Sequence, residues 1–290
     1  MMGMGKNDNV QIKEMKYSVL MSVYAKDNPE YLAEAINSML MQTIPPEQFV
    51  IVIDGPISNE LKQIIITYWN SNKKFFTIIP LKHNGGLGYA LNIGLKYCRN
   101  ELVARMDADD ISLPERCEKE LREFVKYPNL AICGCNIDEF EGEPENVLTS
   151  RIVPVSDKVI KKMMRRRQAF NHPTVIYKKS AVLKEGGYIA IKRKEDFDLF
   201  SKMMTAGNLA RNLKESLYLY RVNTDNYKRR KSWDNFRSAM YVYWRHLGRK
   251  GCSMCDFLFV FIFELFFLLA PYPIAKVFSD KFLRVRYSNK

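Results

Sequence analysis

The chain has 290 residues, 47 % of them hydrophobic, which is enough for a sizeable core and too apolar for a disordered segment. Its formal charge of +13 is unevenly placed: residues 1–150 hold 15 Lys/Arg against 21 Asp/Glu, whereas 151–290 hold 30 against 11. Six cysteines, at 98, 117, 133, 135, 252 and 255, match neither a small disulfide-stapled secreted domain nor zinc-ligand spacing, so reduced thiols in a cytosol are expected. The opening MMGMGKNDNVQIKEMK has no apolar run of signal-peptide length, and export is not expected.

After a polar tail over 1–16, YSVLMSVY (17–24) predicts a buried strand. NPEYLAEAINSMLMQ (28–42) predicts a helix, with Pro29 in its first turn and apolar residues at 32, 35, 36, 39 and 40. FVIVIDG (49–55) reads as a second strand, NELKQIIITYWNSN as a helix and FFTIIPL (75–81) as a third strand. This alternation predicts an α/β fold with a mostly parallel central sheet, whose ligands gather at the carboxyl ends of the strands. Ser22 to Asp27, Asp54 to Ser58 and the loop 82–88 fall there.

HNGGLGYALNIGLKYC (83–98) is a glycine-rich turn leading into a helix. It contains neither G-x-G-x-x-G nor a terminal Gly-Lys-Ser/Thr, so ligand contact and a plain helix entry both stay open. LVARMDADD predicts a further strand, followed by a helix (114–127), a strand (130–140) and a hydrophilic loop (141–150). A basic helix (157–168), a strand HPTVIYKKSAV and a helix (197–206) complete a unit ending near residue 225. From 226 the composition turns basic and aromatic, and 257–278 is almost wholly apolar, which predicts a C-terminal helical segment over 226–290.

Asp107 and Asp109, one residue apart at a strand end, point to the same side if the pleat persists, and can converge on one cation. A hard divalent ion, Mg2+ or Mn2+, accepts few carboxylates when substrate phosphates supply the other ligands. A calcium loop is excluded because no glycine follows at the required place, while a solvated acidic turn remains an alternative. Glu195-Asp196 offers a carboxylate for general-base work, although acids at a helix start also offset the helix dipole. His172, before Pro173, reads equally as a packed residue and as a site residue.

Taken in order, SVLMSVYAKDNPEYLAEAINSMLMQT, VIVIDGP, NGGLGYALNIGL, VARMDADDISLPERCE, NHPTVIYKKSAV, GGY and KEDFDLF resemble the family 2 glycosyltransferases, particularly non-processive enzymes of bacterial surface polysaccharide assembly. The resemblance runs from about residue 17 to 222 and implies a GT-A type αβα sandwich binding a nucleotide sugar. It implies that Ser22, Val23, Tyr24 and Asp54 hold the nucleobase and that the turn at Asn84 lies beside the nucleotide sugar. Asp107 then lies near ribose and metal, Asp109 is the principal metal ligand, and Asp110 supports the loop. Asp196 is implied as the general base, with Glu195 and His172 on the acceptor side. Leu91 stands where many relatives have Arg, removing one phosphate contact, and no Gln-x-x-Arg-Trp follows Asp196, which argues against a processive polymerase.

The 14 residues of 257–270 are too few to span a bilayer, which needs about 20, but Lys/Arg clusters at 228–231, 245–250 and 281–286 bracket them. An interfacial helix on an anionic membrane is expected, with a short membrane insertion, a core helix or a dimer interface as alternatives. The expected function is therefore an inverting, metal-dependent transferase using a UDP-sugar and a lipid-linked saccharide acceptor at the cytoplasmic face of the membrane. A sugar nucleotidyltransferase would need a glycine- and lysine-rich triphosphate loop, which SVYAKDNPE is not. Nucleic acid is not the expected partner, although the basic half keeps a nucleic-acid-binding protein as the other alternative.

Overall fold

A computed structural model describes residues 6–222, 231–271 and 285–286. The expected boundary at 225/226, the cations 228–230 and the end of the apolar run beyond 271 lie outside the described residues. Strand β1 (Tyr17–Val23) occupies the middle of the sheet, with β2 (Gln48–Ile53) and β3 (Phe76–Pro80) on one side and β4 (Leu102–Met106) on the other, all parallel. Helices α2 (Pro29–Leu40), α3 (Asn59–Ser71) and α4 (Leu87–Tyr97) connect them.

The period-two alternation of β1 explains why both faces are covered. Tyr17, Val19, Met21 and Val23 pack into a layer with Leu32, Ile36 and Met39 of α2, Leu61 and Ile65 of α3, and Leu121 of α5 (Arg116–Lys126). Leu20 points the other way, into a layer with Leu91 and Leu95 of α4 and Leu199 and Phe200 of α8 (Glu195–Thr205). The sheet continues past β4 through β8 (Ile176–Lys178), which is antiparallel both to β4 and to the next strand, β6 (Leu130–Phe140). β7 (Val147–Arg151) shares an edge of β6 with β8 and is itself paired by β10 (Val285–Arg286). β9 (Leu209–Arg221) takes the other edge of β6 and also pairs with the short β5 (Ile111–Ser112) just after the acid cluster.

Several segments differ from their sequence reading. Residues 6–14 form α1 (Lys6–Glu14), whose Ile12 is buried in the core, so the polar tail contributes packing. The hydrophilic loop ends in β7, because pairing with β6 satisfies its backbone regardless of composition. The stretch 172–182 divides into a 3-10 turn (His172–Thr174), β8 and a short helix α7 (Lys179–Lys184). α8 begins two residues earlier than expected, placing Glu195 and Asp196 inside its first turn. Beyond α6 (Asp157–Met164) and α8, the chain forms a helical hairpin, α9 (Trp233–Gly248) and α10 (Met254–Leu269).

Candidate active site

The carboxyl ends of β1, β2 and β4 converge with the entry to α8. At the end of β1, Ser22, Val23 and Tyr24 lead into a tight turn: the Asp27 amide donates to the Tyr24 carbonyl at 3.1 Å, and the Tyr24 amide donates to Asp27 Oδ2 at 2.9 Å. Beyond β2, the buried Asp54 directs its carboxylate into the glycine turn, Oδ1 accepting from the Gly85 amide at 2.7 Å and Oδ2 from the Gly86 amide at 3.0 Å. It thereby satisfies amides at the start of α4 that no helical carbonyl can reach. Asn84 Nδ2 donates to the Asp54 carbonyl at 3.1 Å. Gly55 makes this approach feasible: φ is +86°, and a Cβ there would lie 2.6 Å from the Asn84 nitrogen.

After β4 come the acids. Arg105 is fully buried, and its guanidinium donates to the Met106 carbonyl and to Asp107 Oδ1. Asp109 is pushed up to about 6 by burial and by the charge of Asp107. Asp27 is pushed up to about 7, mainly by burial and secondarily by Asp109 and Asp107. Asp110 turns inward: fully buried, it accepts from the Arg221 amide at 2.8 Å through Oδ1 and is raised well above the carboxylate range by burial and by its acid neighbours. Arg221 Nε binds the Asp109 carbonyl at 3.0 Å, while its guanidinium carbon stands 3.8 Å from the Tyr31 ring centroid and 4.5 Å from that of Phe140. β9 and α2 thus clamp the loop from two sides.

The donor set suits a hard cation. Oxygen ligands dominate, and the half-desolvated carboxylates of Asp27, Asp107 and Asp109 repel one another, a cost that a bound cation would remove. Among the described residues no group of three or more His, Cys, Asp or Glu side chains is arranged to hold a metal unaided. Substrate oxygens would have to complete a shell begun by Asp107 and Asp109.

The third group of residues enters from α8. Glu195 is pushed up to about 8 by burial and by Asp196, with Arg105 opposing and Asp107 adding to the rise, so it shares the electrostatic field of the acid cluster. Asp196 Oδ2 accepts from Gln168 Nε2 at 2.9 Å and Oδ1 from the Phe197 amide at 2.8 Å. Gly88 in the first turn of α4 admits this loop closely: a Cβ there would lie 2.8 Å from the Ile189 carbonyl and 3.3 Å from Glu195 Cβ. His172 sits behind the pair, its Nε2 bonded to the Tyr188 hydroxyl at 3.0 Å. Burial and the Arg105 charge hold its imidazole well below its usual range, hence neutral at pH 7. Asn92 fixes Tyr188 by a reciprocal pair, accepting from its amide at 2.8 Å and donating to its carbonyl at 2.7 Å.

The structure brings Asp107, Asp109 and Glu195 into one field, and turns Asp54 and His172 toward neighbouring protein groups. Sequence reading assigned no role to Asp27, Arg105, Gln168 or Arg221. Only the position of Asp27 at a strand end hinted at it; the others become visible only through contacts between distant segments. Asp27→Asn should raise the stability of the metal-free protein at pH 7.5 by about 1–2 kcal/mol, because it removes a carboxylate that folding makes harder to ionise. The wild type should lose that increment as pH rises from about 4 toward about 7, the window between the ordinary Asp value and the raised one. Thermal unfolding against pH, with and without Mn2+, reads both effects.

The sequence profile described as Glycosyl transferase family 2 matches residues 18–186. The chain is 33 % identical over 265 residues to the amylovoran biosynthesis glycosyltransferase AmsE of Erwinia amylovora, covering 91 % of this chain and 98 % of that protein. It is also 33 % identical over 257 residues to an Escherichia coli UDP-Gal:alpha-D-GlcNAc-diphosphoundecaprenol beta-1,3-galactosyltransferase, covering 88 % of this chain and 92 % of that one. Among solved structures, the mannosyltransferase PcManGT from Pyrobaculum calidifontis, in complex with GDP-Man and Mn2+, superposes with a TM-score of 0.62 at 15 % identity, covering 91 % of this chain and 73 % of that chain. TarS 1-349 of S. aureus in complex with UDP gives 0.55 at 23 % identity, covering 75 % and 64 %. These two structures establish the fold as the GT-A type that the resemblance implied. By profile and by close relatives over nearly its whole length, the chain belongs to glycosyl transferase family 2 and is a glycosyltransferase.

Proposed function

We propose that this protein is an inverting glycosyltransferase that transfers a sugar from a UDP-sugar to a hydroxyl of a lipid-linked saccharide during surface-polysaccharide assembly. The observation that carries the proposal is one site holding two carboxylate groups with different surroundings: Asp27, Asp107 and Asp109 at the strand ends, and Glu195-Asp196 in the first turn of α8. UDP and a diphosphate-lipid acceptor are supported by the activity of the E. coli relative. Asp107 and Asp109 would hold Mn2+ or Mg2+, which supplies charge stabilisation for the departing diphosphate. Ser22, Val23 and Tyr24 line the nucleoside end, and Asp54 contributes by holding the Asn84 turn in place beneath it.

Proton movement follows from the α8 turn. Glu195, raised to about 8, keeps its proton at neutral pH, whereas Asp196 accepts from Gln168 Nε2 and from the Phe197 amide. Asp196 takes the proton of the acceptor hydroxyl as that oxygen bonds to the anomeric carbon; the bond from that carbon to the diphosphate breaks, and UDP leaves with the electron pair. Protonated Glu195 is a hydrogen-bond donor to a sugar oxygen. Neutral His172 fixes Tyr188 and the wall of the acceptor side.

The C-terminal hairpin supports a membrane-surface location at the cytoplasmic face. No helix among the described residues is long and apolar enough to cross a membrane. α10 is amphipathic in the reverse of the usual sense: Asp256, Val260 and Glu264, four residues apart, face the protein, while Leu258, Phe259, Ile262 and Leu269 are exposed by 50 %, 50 %, 66 % and 70 %. Trp233 and Trp244 of α9 add exposed aromatic area. Apolar surface of this kind beside a strongly cationic half suits an anionic lipid surface.

In a screen of nucleotide sugars with Mn2+ or Mg2+, UDP release should appear with one UDP-sugar. Asp109→Ala and Asp196→Asn should each lower kcat by about 100-fold or more; unchanged turnover in both would remove the site assignment. The wild-type pH profile should fall above about 8 as Glu195 ionises. Glu195→Gln should abolish the alkaline fall. Full-length protein should sediment with anionic vesicles in a salt-sensitive manner, and joint replacement of Leu258, Ile262 and Leu269 by Ser should leave it in the supernatant. Binding to DNA in preference to vesicles would favour a nucleic-acid partner instead.

A further inference from the structure

The apolar stretch 257–270 contains a single charge, Glu264, whose side chain is 11 % exposed. Its Oε1 pairs with Lys194 Nζ at 2.9 Å and its Oε2 accepts from Asn235 Nδ2 of α9 at 3.1 Å. An acid withdrawn from water on an otherwise apolar helix is costly unless both oxygens are satisfied, and here both are. Lys194 immediately precedes Glu195 and Asp196. It occupies the position before the first turn of α8 in a left-handed conformation, φ 68° and ψ 16°, which a non-glycine residue keeps only when its surroundings enforce it.

No side chain caps the start of α8, and the Lys194 carbonyl accepts the amide of Asp198 at 3.0 Å. The direction in which Glu195 and Asp196 leave the helix therefore follows from the Lys194 backbone. Other contacts hold α8 farther along: the Phe197 and Tyr243 rings lie 4.5 Å apart, and Asp198 receives Arg249 at 3.0 Å. At the entry itself, Lys194–Glu264 holds the residue before the helix and Gln168 holds Asp196.

We infer that the Lys194–Glu264 ion pair is a positioning element that enforces the left-handed backbone at Lys194 and so orients Asp196, making the C-terminal hairpin part of the catalytic apparatus as well as a docking surface. This rests on Asp196 being the base. Lys194 and Glu264 do not touch the reacting atoms; they act through the turn between them and the base.

Full-length Glu264→Gln and Lys194→Met are assayed by UDP release, with kcat and donor KM separated and UDP affinity measured at equilibrium. Both should lower kcat by roughly ten- to a hundredfold, the scale of a misplaced catalytic group, with donor KM and UDP affinity unchanged. Lys194→Gly tests the cause, since glycine adopts φ near +68° without enforcement. It should keep kcat near wild type, and Lys194→Gly combined with Glu264→Gln should recover what Glu264→Gln alone loses. Wild-type kcat in Glu264→Gln, loss of UDP affinity alongside kcat, or a glycine variant as impaired as Lys194→Met would overturn the inference. Asp196→Asn, run in parallel, separates the two claims: full turnover there removes the base assignment, while the glycine rescue still reports whether the ion pair sets the turn.

Discussion

Asp27, Asp107, Asp109 and Asp110 are gathered at the ends of two neighbouring strands where water is largely removed, and carboxylates so placed oppose one another's ionisation. Much of the surrounding architecture can be understood as an answer to that constraint. Arg105 places a buried guanidinium against Asp107, and Arg221, held between the rings of Tyr31 and Phe140, secures the Asp109 backbone. Asp110 is withdrawn into the interior and tied to β9, whose pairing with β5 closes the loop. Protein groups relieve part of the repulsion; the remainder is what a cation bridging to a diphosphate would relieve.

The same field reaches the α8 turn. Glu195 senses both Arg105 and Asp107, which ties its protonation to the charges around the acid cluster. Two acids adjacent in sequence are thereby driven apart in behaviour: Glu195 is desolvated beside α4, and Asp196 is supplied with two N–H donors. Under the proposed mechanism, divergence of this kind would let one carboxyl act as donor and the other as base at a single pH.

The hairpin α9–α10 has two unlike faces. Its inward stripe is polar where it meets the enzyme, Asp256 pairing with Arg165 and Arg166 and Glu264 with Lys194. Its outward face is apolar. A lipid surface would cover that face at a gain of roughly 25 cal/mol per Å2 of apolar area, so the helix would gain from membrane contact without giving up its pairing with Lys194 before α8.

The parallel core was legible because YSVLMSVY, FVIVIDG and FFTIIPL are short apolar runs separated by well-signalled helices, and local periodicity suffices for such elements. The pair Asp107/Asp109 was legible because a strand end places alternate residues on one side. Lys214, Glu215 and Ser216 interrupt the apolar pattern of β9, and its long pairing with β6 arises from partners more than 70 residues away. The burial of Arg105, the reach of Gln168 to Asp196 and the clamp of Arg221 on the acid loop likewise join segments remote in sequence. By itself the sequence determined the class of fold, the order of its core strands and the residue types able to bind a diphosphate-bound cation, since these depend on neighbours along the chain. Tertiary structure alone decided which acids share a field, which are desolvated and which helix pairs with the entry to α8, because charge interaction and desolvation depend on distance in space.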